Sequence, residues 1–246
     1  MKTFFTTLLG WLLVGKLIAA DVATDFTAAN KLYAEGKFAA AATAYEALLA
    51  TGAASPALLF NAGNAEFKSG HLGKAIAAYR QATQLASRDP EIRANLAFVR
   101  NQVQGATLRE TRWQNWVSTL TLNEGTLLTA VLFWATLGLL AVRQLRPLWR
   151  VKLTGATRIL VALTIFSATV LALQASNRFS QATAVVTAAE ASARSGPFDE
   201  AQNAFTACDG AELLVVDRHE GWVQVANNTG KTGWLSAKQV AIVPGA

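Results

Sequence analysis

The chain has 246 residues, of which 52% are hydrophobic and only 15% are charged. That composition is apolar and poor in charge for a soluble protein. The formal net charge is +6, and five of the 22 basic residues lie between residues 143 and 158, so the basic balance gives no indication of a nucleic-acid partner. The only cysteine is Cys208, which excludes an intramolecular disulfide.

The N-terminus has the pattern of a secretory signal peptide. Lys2 precedes an apolar run over residues 4–14, and two alanines come directly before Asp21. Lys16 is untypical of a cleaved peptide. We therefore assign residues 1–20 to a signal peptide or an N-terminal anchor, and in both cases the next segment lies outside the cytoplasm.

Residues 21–103 repeat a pattern with a period of 34. The pairs that match from one copy to the next are Phe26 and Phe60, Tyr33 and Phe67, Gly36 and Gly70, Ala41 and Ala75, Tyr45 and Tyr79, Pro56 and Pro90, and Asn61 and Asn95. A glycine turn between two helical patterns at this period indicates stacked helix pairs. We predict helices over residues 24–35, 38–50, 56–69, 72–86 and 90–103. The pattern resembles the tetratricopeptide repeat (TPR) family, with two full repeats and a final half repeat serving as a cap.

The resemblance implies a binding groove lined by the first helix of each pair. The positions that match it here are Phe26, Asn30, Tyr33, Phe60, Asn64, Phe67 and Lys68. Asn61 and Asn95 recur one repeat apart, and their side-chain amides could hold the backbone of a bound polypeptide. The aromatic residues fit either the groove or packing between helices. We expect replacement of Asn64 and Lys68 by Ala to weaken binding and to leave stability nearly unchanged.

Two uncharged segments follow a juxtamembrane segment at residues 104–124. At 1.5 Å per residue, residues 125–142 and 159–175 each cover roughly 25–27 Å, close to a bilayer core. The alternative, a pair of buried core helices, is disfavoured because neither segment has a polar face. No ionisable residue lies within either segment, so we predict two transmembrane anchors and no transport pathway.

The short connection between these segments, residues 143–158, contains Arg143, Arg146, Arg150, Lys152 and Arg158. By the positive-inside rule this loop is cytoplasmic, so the repeats and the C-terminal segment lie on the opposite side. Trp113, Trp116 and Trp149 occupy positions expected for aromatic anchors at the two membrane interfaces.

After the second segment the pattern changes from helical to alternating. Five short strands are predicted, over residues 184–186, 212–216, 221–226, 233–235 and 240–243, with a hairpin turn at 227–230. Residues 183–244 resemble the bacterial SH3-like domain, because Gly221-Trp222 and Gly233-Trp234 bracket that hairpin. Trp222 and Trp234 fit either an aromatic ligand groove or the core of the small barrel, and we expect the core.

Catalytic chemistry is not indicated. Cys208 is expected in a half-buried connection between strands, with no helix N-terminus near it, whereas His219 is expected in a loop and His71 in another domain. Two histidines and one cysteine at these spacings do not make a zinc site, and no glycine-rich phosphate loop occurs. We predict a protein with no catalytic residue, no metal and no cofactor.

The order of segments adds a further resemblance. Residues 59–65, 73–76, 79–80 and 89–96 resemble the BatE proteins of the bacterial aerotolerance (Bat) operon, and the likeness covers nearly the whole chain. It implies an inner-membrane accessory protein that works beside membrane-anchored von Willebrand A-type Bat proteins and a MoxR-type ATPase in envelope or oxidative-stress tolerance.

The fold class expected is therefore a multidomain membrane protein with an all-α TPR solenoid, two transmembrane helices and a small all-β SH3-like barrel. We expect a multi-pass protein of the bacterial inner membrane, with both folded segments periplasmic. Its function is that of a scaffold that holds a partner polypeptide. The alternative is a peptidoglycan-directed binding module that recruits a cell-wall enzyme.

Overall fold

The structure is a computed structural model that describes residues 22–104, 122–180 and 182–245, with side chains described except at 176–180. The predicted signal peptide, most of the juxtamembrane segment, Trp113 and Trp116 lie outside the described residues. The described chain forms two compact units. One contains residues 22–104 together with Thr183–Val243, and the other contains the helices between them.

Five helices form the N-terminal part of the first unit. They are α1 (22–34), α2 (Phe38–Ala50), α3 (Pro56–Lys68), α4 (Leu72–Leu85) and α5 (Pro90–Arg100). Ser55 caps α3 by accepting a hydrogen bond from the backbone N–H of Leu58 at 3.1 Å, and Asp89 caps α5 in the same way. Both caps precede a proline, whose missing N–H costs nothing at the first helical position. The predicted helices are therefore confirmed to within three residues at each end.

The helices pack closely because small residues recur where they cross. Ala29, Ala41 and Ala65 are fully buried in one cluster with Tyr45 and Leu48. In the next pair, a methyl group on Gly63 would lie 2.7 Å from the ring of Tyr79. Since the ring is fully buried, a larger residue at position 63 would push α3 away from α4.

The C-terminal part is one antiparallel sheet of seven strands in the order β3-β2-β6-β5-β4-β1-β7; we keep the name barrel for this sheet, although the strand order itself is that of an antiparallel sheet with β3 and β7 at its ends. The strands are β1 (Thr183–Val186), β2 (Glu190–Arg194), β3 (Asn203–Cys208), β4 (Glu212–His219), β5 (Trp222–Ala226), β6 (Thr232–Ser236) and β7 (Val240–Val243). The prediction of five strands is wrong, because β2 and β3 were missed. These strands bury alanines rather than the β-branched or aromatic residues that mark a strand in sequence.

The predicted hairpin turn after β5 is confirmed. The side chain of Asn227 accepts hydrogen bonds from the backbone N–H groups of Thr229 and Lys231, both at 3.0 Å, and Gly230 adopts a φ of +81°. Inward-facing Val223, Val225 and Leu235 form the core of the sheet.

The helices and the sheet also share a core. Ile76 of α4 and Val99 of α5 are buried in one cluster with Val185 of β1 and Val243 of β7. The half repeat predicted as a cap is therefore itself covered, because the apolar face of α5 shares its core with barrel strands.

The second unit contains α6 (Leu122–Leu145), the short 3-10 helix Pro147–Trp149 and α7 (Thr154–Ser180). Within the described residues, α6 and the part of α7 over Thr154–Ala175 are long and apolar enough to cross a membrane, each with a mean hydropathy of 2.0. Large apolar side chains such as Leu127, Trp134 and Phe166 are exposed, while Thr136 and Thr164 are 3.0 Å apart in a hydrogen bond between the helices.

Candidate binding groove and barrel face

Two cavities lie along the first helices of the pairs. The smaller, of about 90 Å³, is lined by Asn30, Tyr33, Tyr45, Asn61 and Asn64. The larger, of about 240 Å³, is lined by Pro56, Ala57, Phe60, Asp89, Glu91 and Ile92. The smaller cavity is bordered by α1, α2 and α3, and the larger by the starts of α3 and α5; we call the two cavities together the groove.

The same hydrogen-bonded triad occurs twice along the helix pairs, and the first copy lines the smaller cavity. In the first copy the side-chain oxygen of Asn30 accepts from the Tyr45 hydroxyl at 2.7 Å and from the Asn61 amide at 2.9 Å. In the second copy, 34 residues later, Asn64 accepts from Tyr79 at 2.6 Å and from Asn95 at 3.0 Å. The four asparagines predicted from sequence therefore meet in two equivalent hydrogen-bond networks.

These networks give the asparagines a structural role that the sequence did not suggest. Asn64 satisfies the hydroxyl of Tyr79, whose ring is fully buried, and removal of Asn64 would leave that hydroxyl without its partner. The geometry therefore predicts that Asn64→Ala lowers stability, contrary to the expectation from sequence. Lys68 is exposed, so we still expect its replacement by Ala to weaken binding and to leave stability nearly unchanged.

Burial changes the pKa of the two tyrosines of the triads. It raises the pKa of the Tyr45 phenol and, more strongly, the pKa of the Tyr79 phenol. Each tyrosine ring also contacts a phenylalanine of its own repeat. The distance between ring centroids is 6.1 Å for Phe26 and Tyr45 and 5.9 Å for the equivalent Phe60 and Tyr79. Both tyrosines therefore act as neutral hydrogen-bond donors to the asparagines of their triads.

The remaining aromatic residues form a second pair of contacts. Tyr33 meets Phe38 edge to face at a centroid distance of 5.1 Å, and Phe67 meets Phe98 at 5.7 Å. The four aromatic residues predicted for the groove are all half-buried; Tyr33 and Phe60 line the two cavities, while Phe26 and Phe67 pack against other rings. Phe98 is more than half exposed and was missed, because the 34-residue period matches it to Asn64 rather than to an aromatic.

A charged cluster lies beside the turn between α3 and α4. Glu66 of α3 is buried, and its carboxylate lies 2.7 Å from Nδ1 of His71 and 3.5 Å from Nζ of Lys74. Burial raises the pKa of the Glu66 carboxyl. A hydrogen bond from Lys74 to Glu46, 2.7 Å long, raises the pKa of the Lys74 ammonium. The buried Glu66 carboxylate thus has both His71 and Lys74 as partners, which is the usual arrangement of a structural ion pair.

The two barrel tryptophans lie on the outer face of the sheet. Along β5, Val223 and Val225 are buried while Trp222 is half-buried, and along β6 Leu235 is buried while Trp234 is half-buried. Trp234 pairs with Gln224, two residues from Trp222, so the two rings are diagonal neighbours on that face. The expectation that they fill the core is wrong, because strand alternation directs them away from it.

The structure also corrects the expected surroundings of Cys208. It is the last residue of β3 and exposed rather than half-buried. The next residue, Asp209, accepts hydrogen bonds from the backbone N–H groups of Leu72 and Gly73 at 2.9 and 3.0 Å. A helix N-terminus is therefore close to Cys208 in the chain fold, and so is His71, which precedes Leu72.

His219 ends β4 and is exposed, rather than lying in a loop. Over residues 22–104, 122–180 and 182–245, no group of three or more His, Cys, Asp or Glu side chains is arranged to hold a metal ion.

Comparisons with known families agree with the two folded segments. A family model of the TPR repeat matches residues 63–102, and a model of the bacterial SH3 domain matches residues 187–241. No curated protein sequence matches the chain. The chain therefore carries a TPR repeat and a bacterial SH3 domain, which are modules that typically bind protein or peptidoglycan rather than catalyse reactions.

Proposed function

We propose that the protein is a membrane-anchored scaffold that holds an extended segment of a partner polypeptide in the groove. The observation that carries this proposal is the pair of equivalent triads. Among the described residues, the Nδ2 groups of Asn30 and Asn64 and the Oδ1 atoms of Asn61 and Asn95 make no hydrogen bond. Each repeat thus offers a free donor and a free acceptor, the two groups that a peptide backbone requires.

The spacing of the triads suits an extended chain. First helices in direct contact lie about 10 Å apart, and an extended polypeptide advances about 3.3 Å per residue. About three residues of a bound segment would therefore separate the Asn30 triad from the Asn64 triad. Main-chain hydrogen bonds at that spacing give affinity with little dependence on the partner's sequence.

The shared core supports the topology of the scaffold. Asp209, in the turn between β3 and β4, and Glu212 of β4 contact α4 directly, although the two apolar helices lie between these segments in the chain. Such contacts cannot form across a hydrocarbon layer of about 30 Å. If α6 and α7 cross the membrane, the repeats and the barrel are therefore on the same side, and the basic loop at 143–158 is on the other.

The exposed surface of the second unit supports anchoring. Its helices present Leu127, Trp134 and Phe166 outward and place the hydroxyls of Thr136 and Thr164 between them. This is the reverse of a water-soluble helix pair, whose polar groups face outward. It suits a lipid environment, in which polar side chains link helices to each other.

By the BatE resemblance, the partners we propose are membrane-anchored von Willebrand A-type proteins in a periplasmic Bat complex of the inner membrane. A photo-crosslinking amino acid in place of Lys68 should capture such a partner in cells, whereas the same group in place of Lys231, on the barrel hairpin, should not. Identification of the adduct by mass spectrometry tests the partner class. Absence of any adduct from the groove position would overturn the scaffold proposal.

A reporter fusion tests the topology separately. A reporter active only in the periplasm should be active when fused after Gln104 or Ala246 and inactive when fused after Gln144. Activity at Gln144 would refute the proposed orientation.

The second candidate is a peptidoglycan-directed module. The observation that favours it is the diagonal register of the half-buried Trp222 and Trp234 on the outer face of the barrel, because aromatic side chains on a sheet face suit sugar or peptide stacking. Sedimentation of the detergent-solubilised protein with purified sacculi tests it. Binding that is lost with Trp222→Ala and kept with Lys68→Ala would favour this candidate over the groove.

A further inference from the structure

The connection between α6 and α7 combines the most exposed apolar side chains of the described residues with a concentration of positive charge. Leu148 is 91% exposed, Val151 is 85% exposed and Trp149 is 58% exposed. The same connection contains Arg146, Arg150 and Lys152, all exposed. We call residues 146–152 the basic tip.

The basic tip has a defined backbone. Its 3-10 helix is closed by hydrogen bonds from the Trp149 N–H to the Arg146 carbonyl at 3.0 Å and from the Arg150 N–H to the Pro147 carbonyl at 3.1 Å. Thr154 at the start of α7 donates to the Arg150 carbonyl at 2.7 Å. Because the backbone is already ordered, little conformational entropy is lost when these side chains contact a surface.

Charge around the tip has one sign. No acidic residue occurs from Gly125 to Ala189, so no carboxylate close in sequence neutralises the three exposed cations. At the end of α6, the Nε of Arg143 is shielded from solvent, and within the described ranges it has no hydrogen-bond acceptor.

We propose that the basic tip docks on an anionic phospholipid surface, with the apolar side chains entering the headgroup region and the guanidinium and ammonium groups binding lipid phosphates. A bilayer surface is favoured over an acidic protein or free phosphate because it alone accepts both components. Leucine, valine and tryptophan partition into the headgroup boundary, while basic residues near an anionic leaflet bind more tightly the more anionic lipid it contains. This inference rests on the proposed membrane anchoring and adds a lipid class to it.

The test uses the full chain in detergent micelles, titrated with phosphatidylglycerol or with phosphatidylcholine and followed by native mass spectrometry of retained lipids. The variant replaces three charges: Arg146→Gln, Arg150→Gln and Lys152→Gln. Each basic residue near an anionic surface strengthens binding about 5-fold, so the triple variant should bind phosphatidylglycerol roughly 100-fold more weakly. Its binding of phosphatidylcholine should not change.

A matched control removes the same number of exposed charges elsewhere: Lys31→Gln, Arg93→Gln and Lys238→Gln. This control should keep the preference for phosphatidylglycerol. Trp149→Ala should weaken the binding of both lipids, because it removes an apolar contact and no charge. Equal retention of both lipids by the unmodified chain, or an equal loss in the control variant, would overturn the inference.

Two further outcomes are distinguishable. Displacement of phosphatidylglycerol by poly-glutamate at equal charge would show that the tip binds acidic polymers and not a lipid surface, which also overturns the inference. Failure of the unmodified chain to remain in alkali-extracted membranes would instead refute the anchoring itself. A chain that stays in the membrane without lipid preference leaves the anchoring intact and refutes only the lipid docking.

Discussion

Arg100 at the end of α5 and Glu212 at the start of β4 form a two-pronged ion pair across 112 positions of sequence. The Nη2 atom of Arg100 donates to Oε1 at 2.9 Å, and its Nε donates to Oε2 at 3.1 Å. Glu212 is completely buried and also accepts from Arg80 of α4 at 2.9 Å. One carboxylate of the barrel therefore joins the last two helices of the repeats.

Removal of one partner from this pair should destabilise the protein strongly. Arg100→Met removes one of the two arginines that contact the buried Glu212 carboxylate, and breaking a buried pair typically costs about 3–5 kcal/mol. Because Arg80 remains, we expect a loss near the lower limit, about 3 kcal/mol. Chemical denaturation of the full chain in detergent measures it. Lys37→Met, which breaks the exposed pair with Glu35, is the control and should have no measurable effect; an equal effect of both would contradict the ranking.

Gly73 should not accept a side chain. Its backbone N–H donates to Asp209, and a methyl group there would collide with the Val186 carbonyl oxygen and lie 2.5 Å from Oδ1 of Asp209. Gly73→Ala should therefore destabilise the junction of α4 with the barrel by about 3 kcal/mol. Gly155→Ala is the control, since a methyl group at that helix start meets no atom within 4 Å. Faster proteolysis of the first variant alone would agree with this prediction, and equal rates would refute it.

The Tyr79 hydroxyl should contribute about 1 kcal/mol through its hydrogen bond to Asn64. Tyr79→Phe removes the hydroxyl and keeps the packed ring, so a loss of that size is expected in thermal denaturation. Tyr45→Phe is the matched variant, because its hydroxyl makes the equivalent bond to Asn30. Losses that differ severalfold would show that the two triads are not equivalent.

The same tyrosines predict a dependence of stability on alkaline pH. Burial raises the pKa of Tyr79 in the folded chain above its value in the unfolded chain. The folded state therefore keeps the proton longer, and the stability that this contributes is complete below pH of about 10 and is lost as the pH rises further. Absorbance at 295 nm of the unmodified chain minus that of Tyr79→Phe should show ionisation later than free tyrosine. Ionisation at or below pH 10 in that difference would contradict the prediction.

Cys208 should be dispensable. Its side chain is exposed at the end of β3, and the contact with α4 is made by the carboxylate of the next residue. Cys208→Ala should leave partner capture at position 68 unchanged and cost at most about 0.5 kcal/mol. Asp209→Ala is the informative companion, because it removes two hydrogen bonds to the N-terminus of α4 and should cost about 2 kcal/mol. Loss of partner capture with Cys208→Ala alone would reopen a catalytic role.

The helices could be predicted from sequence because identical side chains recur at a fixed period, as Tyr45 and Tyr79 do, and caps mark the start of α3 and α5. The alternation of Trp222 with Val223 also indicates the outward direction of the indole, but the general preference of tryptophan for a core points the other way. In both cases the relevant information is local in the chain.

The shared core could not be predicted in this way. Val185 and Val243 belong to strands whose pattern is complete without the helices, and Glu212 is one carboxylate among 16 acidic residues. No periodic pattern links a residue to a partner more than a hundred positions away. The Ala-rich strands β2 and β3 are a second such case, because only the neighbouring strands of the sheet make their small residues suitable for pairing.

The pairing of Arg100 with Glu212 also orders events at the ribosome. At about 5–20 residues per second, the 112 residues between them require roughly 6–20 s of synthesis. During that interval Ile76 and Val99 have no barrel strand to cover them, while both apolar helices leave the ribosome. If α6 and α7 cross the membrane as proposed, the nascent chain exports an unfinished solenoid and inserts its helical hairpin before the core is complete. The unfinished solenoid would then expose apolar surface of the kind that holding chaperones bind.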